Sequence, residues 1–201
     1  GTVSYKFNWG PKNIASTVSL LYEGRNGTPY NFVYNGDANN DGNSFNDLVY
    51  VPAAQSEIVL LSNTVNGVVL TPDEQWAKLD AFITSIPALD ANRGKIFPRN
   101  GAYQPWRNNL DLRFTQDLPS IKNQRFQLTL DVLNILGMIN EDWGIQKFVN
   151  FEAYNLLSIS GYESGTGKPR VRFTPPVNGT PFEVSQVASR WQMQLGLRYT
   201  F

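Results

Sequence analysis

The last eleven residues of the chain, 191–201, alternate without a break between apolar and polar or small side chains. A period of two predicts a β-strand with one apolar and one polar face. The length matches the roughly 9–11 residues that a tilted strand needs to cross a bilayer. Aromatic residues at both ends of the apolar face are typical of strands that meet two membrane interfaces. The segment therefore favours a membrane strand, whereas an edge strand of a soluble sandwich is the alternative.

Four earlier segments repeat this alternation, so the sequence predicts five long amphipathic strands. The side chains expected to face lipid are Val3, Tyr5, Phe7, Val18, Leu20, Leu112, Phe114, Leu128, Leu130, Leu195 and Leu197. Charged residues fall on the polar faces, where they either line a lumen or pair between neighbouring strands. These charged residues are Lys6, Asp111, Arg113, Asp131 and Arg198.

The connections between the five strands alternate between short and long. Residues 10–13 and 119–123 form short turns, whereas 35–106 and 138–188 are long excursions. Transmembrane barrels show this asymmetry, because short turns lie on the periplasmic side and long loops lie outside the cell. Five strands do not close a membrane barrel, since single-chain barrels have even strand numbers from about eight upward. We therefore expect an all-β fold that supplies the C-terminal five strands of a large transmembrane antiparallel β-barrel.

One short helix is predicted inside the first excursion. Thr71 can cap it, Pro72 suits its first position, and Glu74 completes a capping box. Apolar residues then recur at helical spacing until Pro87, which ends the run. They are Trp76, Leu79, Phe82, Ile83 and Ile86. This stripe either packs against the rest of the loop or presents a ligand surface. In the second excursion, residues 170–174 are expected to hold a hairpin.

Composition removes several classes of function. The chain has no Cys and no His, which excludes thiol chemistry, disulfides, His-dependent triads and most zinc sites. Lys+Arg and Asp+Glu both number 17, so no basic field indicates a nucleic-acid partner. The sequence contains no run of about 18 apolar residues, so it predicts no helical membrane anchor. Because no catalytic constellation emerges, we expect a protein that is not an enzyme.

The acidic loop 37–47 carries the sharpest local motif. Oxygen-bearing side chains stand at alternate positions, and Gly42 lies where an EF-hand loop turns sharply. The EF-hand pattern then fails, because Leu48 stands where a bidentate Glu is needed. A shortened calcium loop remains one prediction, and a polar loop rich in turn-forming residues is the other. The candidate calcium ligands are Asp37, Asn39, Asp41, Asn43 and Asp47.

The first residues read GTVSYKF, without Met or the apolar core of a signal peptide. An outer-membrane protein needs such a segment for export. We therefore expect residues 1–201 to form the C-terminal part of a longer chain, in which the earlier barrel strands come first.

Four segments carry a resemblance to a known family. They are GDANNDGNSFNDLVYVP (36–52), NRGKIFPRNGAYQPWRNNLDLRFTQDLP (92–119), FQLTLDVLNILGMINEDWG (126–144) and WQMQLGLRYTF (191–201). Together they resemble the C-terminal end of TonB-dependent outer-membrane receptors, in the Oar-like and SusC-like branch of Bacteroidota. The resemblance implies a barrel of roughly 22 strands with a plugged lumen. In such a barrel the two long excursions are extracellular loops, one of which contains the short helix. The resemblance also implies the outer membrane of a Gram-negative bacterium.

The function implied by this resemblance is TonB-dependent transport of a bulky nutrient, of the peptide or glycan class. The implied partners are outer-membrane lipid, the barrel-insertion machinery, TonB through the absent plug, and a SusD-like surface lipoprotein lid. A terminal strand that ends in Phe resembles the signal read by the insertion machinery. Its candidate residues are Trp191, Leu195, Leu197, Tyr199 and Phe201. The alternatives are a structural or adhesive barrel within a larger envelope assembly and a soluble β-rich calcium-binding module.

Overall fold

A computed structural model describes residues 1–9, 14–119 and 124–201, which form two compact units. The first unit contains Gly1–Gly27, Pro105–Phe148 and Val184–Phe201, and the second contains Thr28–Gln104 and Val149–Glu183. Strands outnumber helices in the described residues, so the predicted β-rich fold is confirmed. No helix in this part of the chain is long and apolar enough to cross a membrane. The predicted turn at 10–13, and the one at 119–123 beyond Pro119, lie outside the described residues.

The described residues contain sixteen strands, three α-helices and two 3-10 turns. The strands are β1 (Thr2–Asn8), β2 (Ala15–Arg25), β3 (Pro29–Asn35), β4 (Tyr50–Val51), β5 (Val59–Leu60), β6 (Asn63–Val65), β7 (Val68–Leu70), β8 (Lys95–Ile96), β9 (Ala102–Tyr103), β10 (Arg107–Leu118), β11 (Arg125–Leu133), β12 (Lys147–Phe148), β13 (Ala153–Tyr162), β14 (Pro169–Arg172), β15 (Glu183–Val184) and β16 (Gln192–Thr200). The helices are α1 (Pro72–Ser85), α2 (Pro87–Asp90) and α3 (Ile135–Ile139), and the 3-10 turns are Gln55–Glu57 and Asn150–Glu152.

The first unit is built on one antiparallel sheet in the order β1-β2-β10-β11-β16. Each of the five predicted long strands pairs with the next one along the chain, so these strands are confirmed. The register places Tyr5, Val18, Phe114, Leu130 and Leu195 in one row across the sheet. Because residues paired across strands lie on the same face, the separate apolar faces join into one continuous apolar face.

Strand β16 is one residue shorter at each end than the predicted segment 191–201. Strand β16 covers Gln192–Thr200, which leaves Trp191 and Phe201 just outside the ladder. Strand β11 ends at Leu133, and Gly137 lies inside α3. The reason is the backbone of Asn134, whose φ of 52° is left-handed and turns the chain out of the strand before Gly137 is reached.

The two long excursions fold together into the second unit, which the sequence pattern did not predict. Its sheet has the order β5-β14-β13-β3-β9, in which β13 pairs in parallel with β3, and β14 with β5. Consecutive residues of β3, from Phe32 to Tyr34, are all buried. A strand buried on both faces shows no alternation of apolar and polar residues, and this explains why the pattern was lost after β2.

The second unit has a hydrophobic core of its own. Burying one large apolar side chain contributes about 1.5–3 kcal/mol, so a cluster of this size stabilises the unit against the entropy cost of ordering two long segments. Its largest fully buried apolar side chains are Tyr30, Phe32, Phe97, Phe173, Leu79, Ile83, Leu89, Leu156, Leu157, Val49 and Val51.

Helix α1 begins as the sequence predicts. The hydroxyl of Thr71 accepts a 3.3 Å hydrogen bond from the backbone N–H of Glu74, whose carboxylate accepts one of 2.8 Å from the backbone N–H of Thr71. The apolar stripe packs into the core, with Phe82 and Ile83 buried, so packing rather than ligand presentation is confirmed. Pro87 does more than end the helix, because it also occupies the first turn of α2.

The hairpin predicted within 170–174 is wrong in its extent. Strand β14 spans Pro169–Arg172 and pairs back with β13, so the hairpin reaches from Ala153 to Arg172. The other side of β14 pairs with β5 of the first excursion. The glycines between β13 and β14 mark the connection of a larger hairpin, which the sequence pattern placed too late.

Candidate functional site

The apolar face of the first unit's sheet is largely exposed. On the edge strands β1 and β16, Val3, Tyr5, Leu195 and Leu197 each expose between 62 and 71 % of their surface. None of the side chains expected to face lipid is buried within the described part of the chain. Contiguous exposed apolar surface of this kind marks a site that contacts lipid or another protein.

Aromatic rings gather where this face ends near the C-terminus. The rings of Phe126 and Tyr199 stack with centroids 4.7 Å apart, and the ring of Phe201 lies 5.7 Å from that of Tyr199. The indole Nε1 of Trp9 donates a 2.8 Å hydrogen bond to the hydroxyl of Ser16. These side chains combine an apolar ring with a polar group or an exposed position, as residues at a membrane interface do.

A second group of aromatic residues lies at the opposite end of the strands. The side-chain oxygen of Asn108 accepts hydrogen bonds from the hydroxyl of Tyr22 at 2.7 Å and from the indole of Trp106 at 2.9 Å. Trp191 directly precedes β16 at this end, because Gln192 pairs with Leu133 at the end of β11. The apolar face is thus bounded by amphipathic aromatic residues at both ends.

The residues of the predicted insertion signal lie on one face of β16 or directly at its ends. This strand forms an edge of the sheet, since β11 is its one partner among the described strands. Phe201 is 93 % exposed. Gly196 stands opposite Thr129, and a Cβ at that position would lie 2.6 Å from the Thr129 hydroxyl. The glycine therefore permits the close approach of these two strands.

The polar face of the same sheet carries the predicted charge pairing at one position. Arg113 and Asp131 are register partners, and the guanidinium donates to both carboxylate oxygens at 2.6 and 3.0 Å. Pairing between neighbouring strands is therefore confirmed for these two residues. Asp111 instead accepts a 2.8 Å hydrogen bond from the backbone N–H of Asn134 at the end of β11. Lys6 and Arg198 form no ion pair within the described residues.

The acidic loop of the second unit binds its own backbone. The two carboxylate oxygens of Asp37 accept from the N–H groups of Asp41, at 3.2 Å, and of Gly42, at 2.9 Å. One carboxylate oxygen of Asp47 accepts from the N–H groups of Ala38, at 2.7 Å, and of Asn39, at 3.2 Å. These bonds join side chains to backbone groups between four and nine residues away, so they hold the loop closed.

Asp41 is held in the same loop by three partners. Its carboxylate accepts from the N–H of Asn43 at 2.8 Å and from the side-chain amides of Asn39 and Asn46. The N–H of Asn43, followed by the amide of Asn39, lowers the pKa of the Asp41 carboxyl. In residues 1–9, 14–119 and 124–201, no group of three acidic, Cys or His side chains is gathered to hold a metal ion. Calcium binding at Asp37, Asn39, Asp41, Asn43 and Asp47 stays a prediction.

The second unit also contains an open groove of about 740 Å³ that sequence reasoning missed. Its walls come from both excursions, which the pairing of β3 with β13 brings together. Asn39 and Asp47 of the acidic loop form part of one wall. No local motif indicates the groove, because residues distant in sequence line it. The side chains that shape it include Tyr34, Tyr50, Ile96, Arg99, Tyr162 and Lys168.

Hydrogen bonds fix the polar side of this groove. One carboxylate oxygen of Glu57 accepts from the Tyr50 hydroxyl at 2.9 Å and from the Ala53 N–H at 2.8 Å. The Ala53 N–H and then the Tyr50 hydroxyl lower the pKa of Glu57, so this carboxylate is ionised at neutral pH. Burial raises the pKa of Tyr34 to about 12, and its hydroxyl therefore stays neutral. The Tyr162 hydroxyl donates to the carbonyl of Ala38 at 3.1 Å.

Comparisons of the chain with models of protein families, with curated proteins and with solved structures find no match. The likeness to TonB-dependent receptors therefore rests on the four sequence segments alone. The two features of the structure that bear on function are the exposed apolar face of the first unit and the groove of the second.

Proposed function

We propose that the first unit is part of the wall of an outer-membrane β-barrel, with its apolar face in contact with lipid and its polar face towards the lumen. The observation that carries this proposal is the row Tyr5, Val18, Phe114, Leu130 and Leu195, which crosses five antiparallel strands and lies outside any core. Alternate residues on the same strands are polar, as a water-facing inner surface requires.

Energetics favour lipid as the cover of this face. Exposed apolar surface costs about 25 cal/mol per Å² relative to an apolar surrounding, so several exposed large side chains represent many kcal/mol in water. A partner protein would also cover such a face. The aromatic residues at both ends, among them Tyr22, Trp106, Tyr199 and Phe201, favour a bilayer, because its two interfaces select amphipathic rings at two levels.

The open edges of the sheet support a larger barrel. Strands β1 and β16 each have one partner in the described sheet. An unpaired strand edge in lipid leaves backbone donors and acceptors without hydrogen bonds, and each such group costs several kcal/mol. Under this proposal other strands pair with both edges and close the wall.

The proposed activity is TonB-dependent import of a bulky nutrient, of the peptide or glycan class, across the outer membrane of a Gram-negative bacterium. Support comes from the four sequence segments that resemble such receptors and from the wall-like sheet. The proposed partners are lipid, the barrel-insertion machinery, TonB acting through an upstream plug, and a surface lipoprotein lid. The sequence upstream of Gly1 tests the transport step. A plug with a TonB-contact segment there would support transport, whereas the absence of such a plug would favour a structural or adhesive barrel.

Single-cysteine labelling tests the membrane orientation directly, because the chain contains no Cys. Leu195→Cys and Gln194→Cys place the thiol on opposite faces of the same strand. In intact outer membranes, a fluorophore at position 195 should be quenched by brominated lipid, whereas one at position 194 should be quenched by aqueous iodide. Equal quenching at both positions by iodide, or recovery of the protein in the soluble fraction, would contradict the proposal.

A further inference from the structure

The groove of the second unit presents two basic side chains. Arg99 and Lys168 both line it, one from the segment after β8 and the other from the connection before β14. Neither charged group forms a hydrogen bond or an ion pair with any residue in the part of the chain that the structure describes. Two cations that share one concave surface without an internal partner are available to bind an anion from solution.

The acidic residues of the groove are already engaged by the fold. Glu57 accepts from the Ala53 N–H and the Tyr50 hydroxyl, and Asp47 accepts from the N–H groups of Ala38 and Asn39. These donors partly offset the negative charge of both carboxylates. The chain as a whole has no net charge, with 17 basic and 17 acidic residues, so the free cations are a local feature of the groove.

Apolar surface lies beside these cations. Ile96 is 65 % exposed and Tyr162 is 49 % exposed, and both line the groove together with Pro169. Large exposed side chains in a concavity provide the apolar contact area that small-molecule sites use, while a few charged groups fix the ligand's orientation. The volume of about 740 Å³ also lies within the range of such sites.

We propose that this groove binds a small amphipathic carboxylate, whose anionic group contacts Arg99 and Lys168 and whose apolar part packs on Ile96, Tyr162 and Pro169. Arg binds carboxylates through two parallel N–H groups, and Lys adds a compact charge. The C-terminus of a short apolar peptide and a free aromatic acid both offer this chemistry. The site belongs to the second unit alone and does not depend on the membrane role of the first.

Calorimetry on the whole purified chain in a non-ionic detergent tests the site. The probes are trileucine, which carries a peptide C-terminus, and phenylbutyrate, which is a free aromatic acid, each compared with its neutral amide. We expect at least one acid to bind, at least tenfold more tightly than its amide. Binding of trileucine alone assigns the site to peptide C-termini, and binding of phenylbutyrate alone assigns it to free acids.

Charge-removing variants tie the binding to the two cations. Arg99→Gln and Lys168→Gln should each weaken the acid about tenfold, as loss of one charge-assisted hydrogen bond does. Lys78→Gln is the matched control, because Lys78 is an exposed residue of α1 in the same unit and does not line the groove. Unchanged circular dichroism spectra show that the variants fold. The proposal is overturned if neither acid binds, if the amides bind equally well, or if Lys78→Gln weakens binding as much as the groove variants.

Discussion

The side-chain oxygen of Gln75 accepts a 3.0 Å hydrogen bond from the backbone N–H of Phe173, 98 residues further along the chain. The amide nitrogen of Gln75 donates to the carbonyls of Leu61, at 2.8 Å, and Leu70, at 3.1 Å. Gln75 and Phe173 are both fully buried. One polar side chain of α1 therefore satisfies backbone groups from both excursions, and it fixes how the two segments meet.

Replacing Gln75 with Ala should lower the free energy of unfolding of the second unit by about 2–4 kcal/mol, because buried backbone groups lose their partners and a cavity opens. Chemical denaturation followed by near-ultraviolet circular dichroism measures the change. Gln55→Ala is the control, since the Gln55 amide donates to Asp73 in an exposed position. The control should cost less than about 1 kcal/mol, and an equal loss at both positions would contradict the role of the buried amide.

The charge pair of the β-sheet allows a swap experiment. Arg113→Asp or Asp131→Arg alone places like charges at register partners on β10 and β11, so each should lower the heat stability of the folded protein. The double variant, with the two charges exchanged, restores an attractive pair and should recover most of the loss. Melting at low and high salt measures the effect, which salt should reduce. If the double variant does not recover stability at low salt, the Arg113–Asp131 pair does not stabilise this sheet.

Sequence alone predicted the sheet of the first unit because its strands are amphipathic. Each strand has one polar face, so period-two alternation in segments such as 191–201 shows directly in the residue order. The cap of α1 was equally readable, because Thr71 and Glu74 act within one turn. The features that the sequence did not predict depend on contacts between segments that are distant along the chain. The bond from Phe173 to Gln75 has no local signature, and neither does the pairing of β3 with β13.

The same distinction applies to the candidate sites. The acidic loop was found from its spacing, whereas Arg99 and Lys168 share a groove only because two excursions fold together. The EF-hand-like spacing also has a purely structural explanation, since Asp37 and Asp47 accept bonds from neighbouring N–H groups. Spacing in sequence indicates which side-chain oxygens lie close together. It does not determine whether those oxygens bind a metal ion or accept hydrogen bonds from backbone N–H groups.

Alkaline pH should destabilise the second unit through its buried phenols. Burial raises the pKa of Tyr34 to about 12. Because the folded pKa exceeds the unfolded value of about 10, the neutral phenol contributes stability that is complete below about pH 10 and is lost as pH rises towards about 12. Burial also raises the pKa of Tyr30 and of Tyr154, so the loss is shared among several residues.

Tyr34→Phe should therefore reduce the fall in unfolding free energy between about pH 10 and pH 12 without abolishing it. Denaturation curves across this range measure the slope, which separates the titration from the constant loss of the bond that the Tyr50 N–H donates to the Tyr34 hydroxyl at 3.3 Å. Tyr103→Phe is the control, because the Tyr103 side chain is 63 % exposed. A slope that Tyr34→Phe leaves unchanged would mean that Tyr34 titrates as it does in the unfolded chain.

The position of Phe201 allows its proposed role in membrane insertion to be tested separately from its contribution to stability. Phe201 is 93 % exposed and lies beyond the last ladder residue of β16. Its ring contacts only the neighbouring Tyr199 among the ring pairs of the described chain. By contrast, Tyr199 also stacks on Phe126 of the next strand at 4.7 Å. Removing Phe201 therefore deletes little packing, whereas Tyr199→Ala deletes a cross-strand aromatic contact worth about 0.5–1.5 kcal/mol.

If Phe201 acts as an insertion signal, its deletion should lower the amount of protein in the outer membrane while the inserted fraction keeps its heat stability. Tyr199→Ala should lower the heat stability of the inserted fraction, because the stack with Phe126 is lost. Immunoblots of membrane fractions measure the first quantity, and the temperature at which the folded band shifts on a gel measures the second. Both are recorded in the same parent protein, so each variant is a control for the other. Normal membrane levels with reduced heat stability after deletion of Phe201 would leave this residue as an ordinary part of the aromatic band. Reduced levels with unchanged heat stability are the result expected of an insertion signal, because an exposed terminal ring that pairs only with Tyr199 among the rings of the described residues contributes little to the packing of the folded sheet.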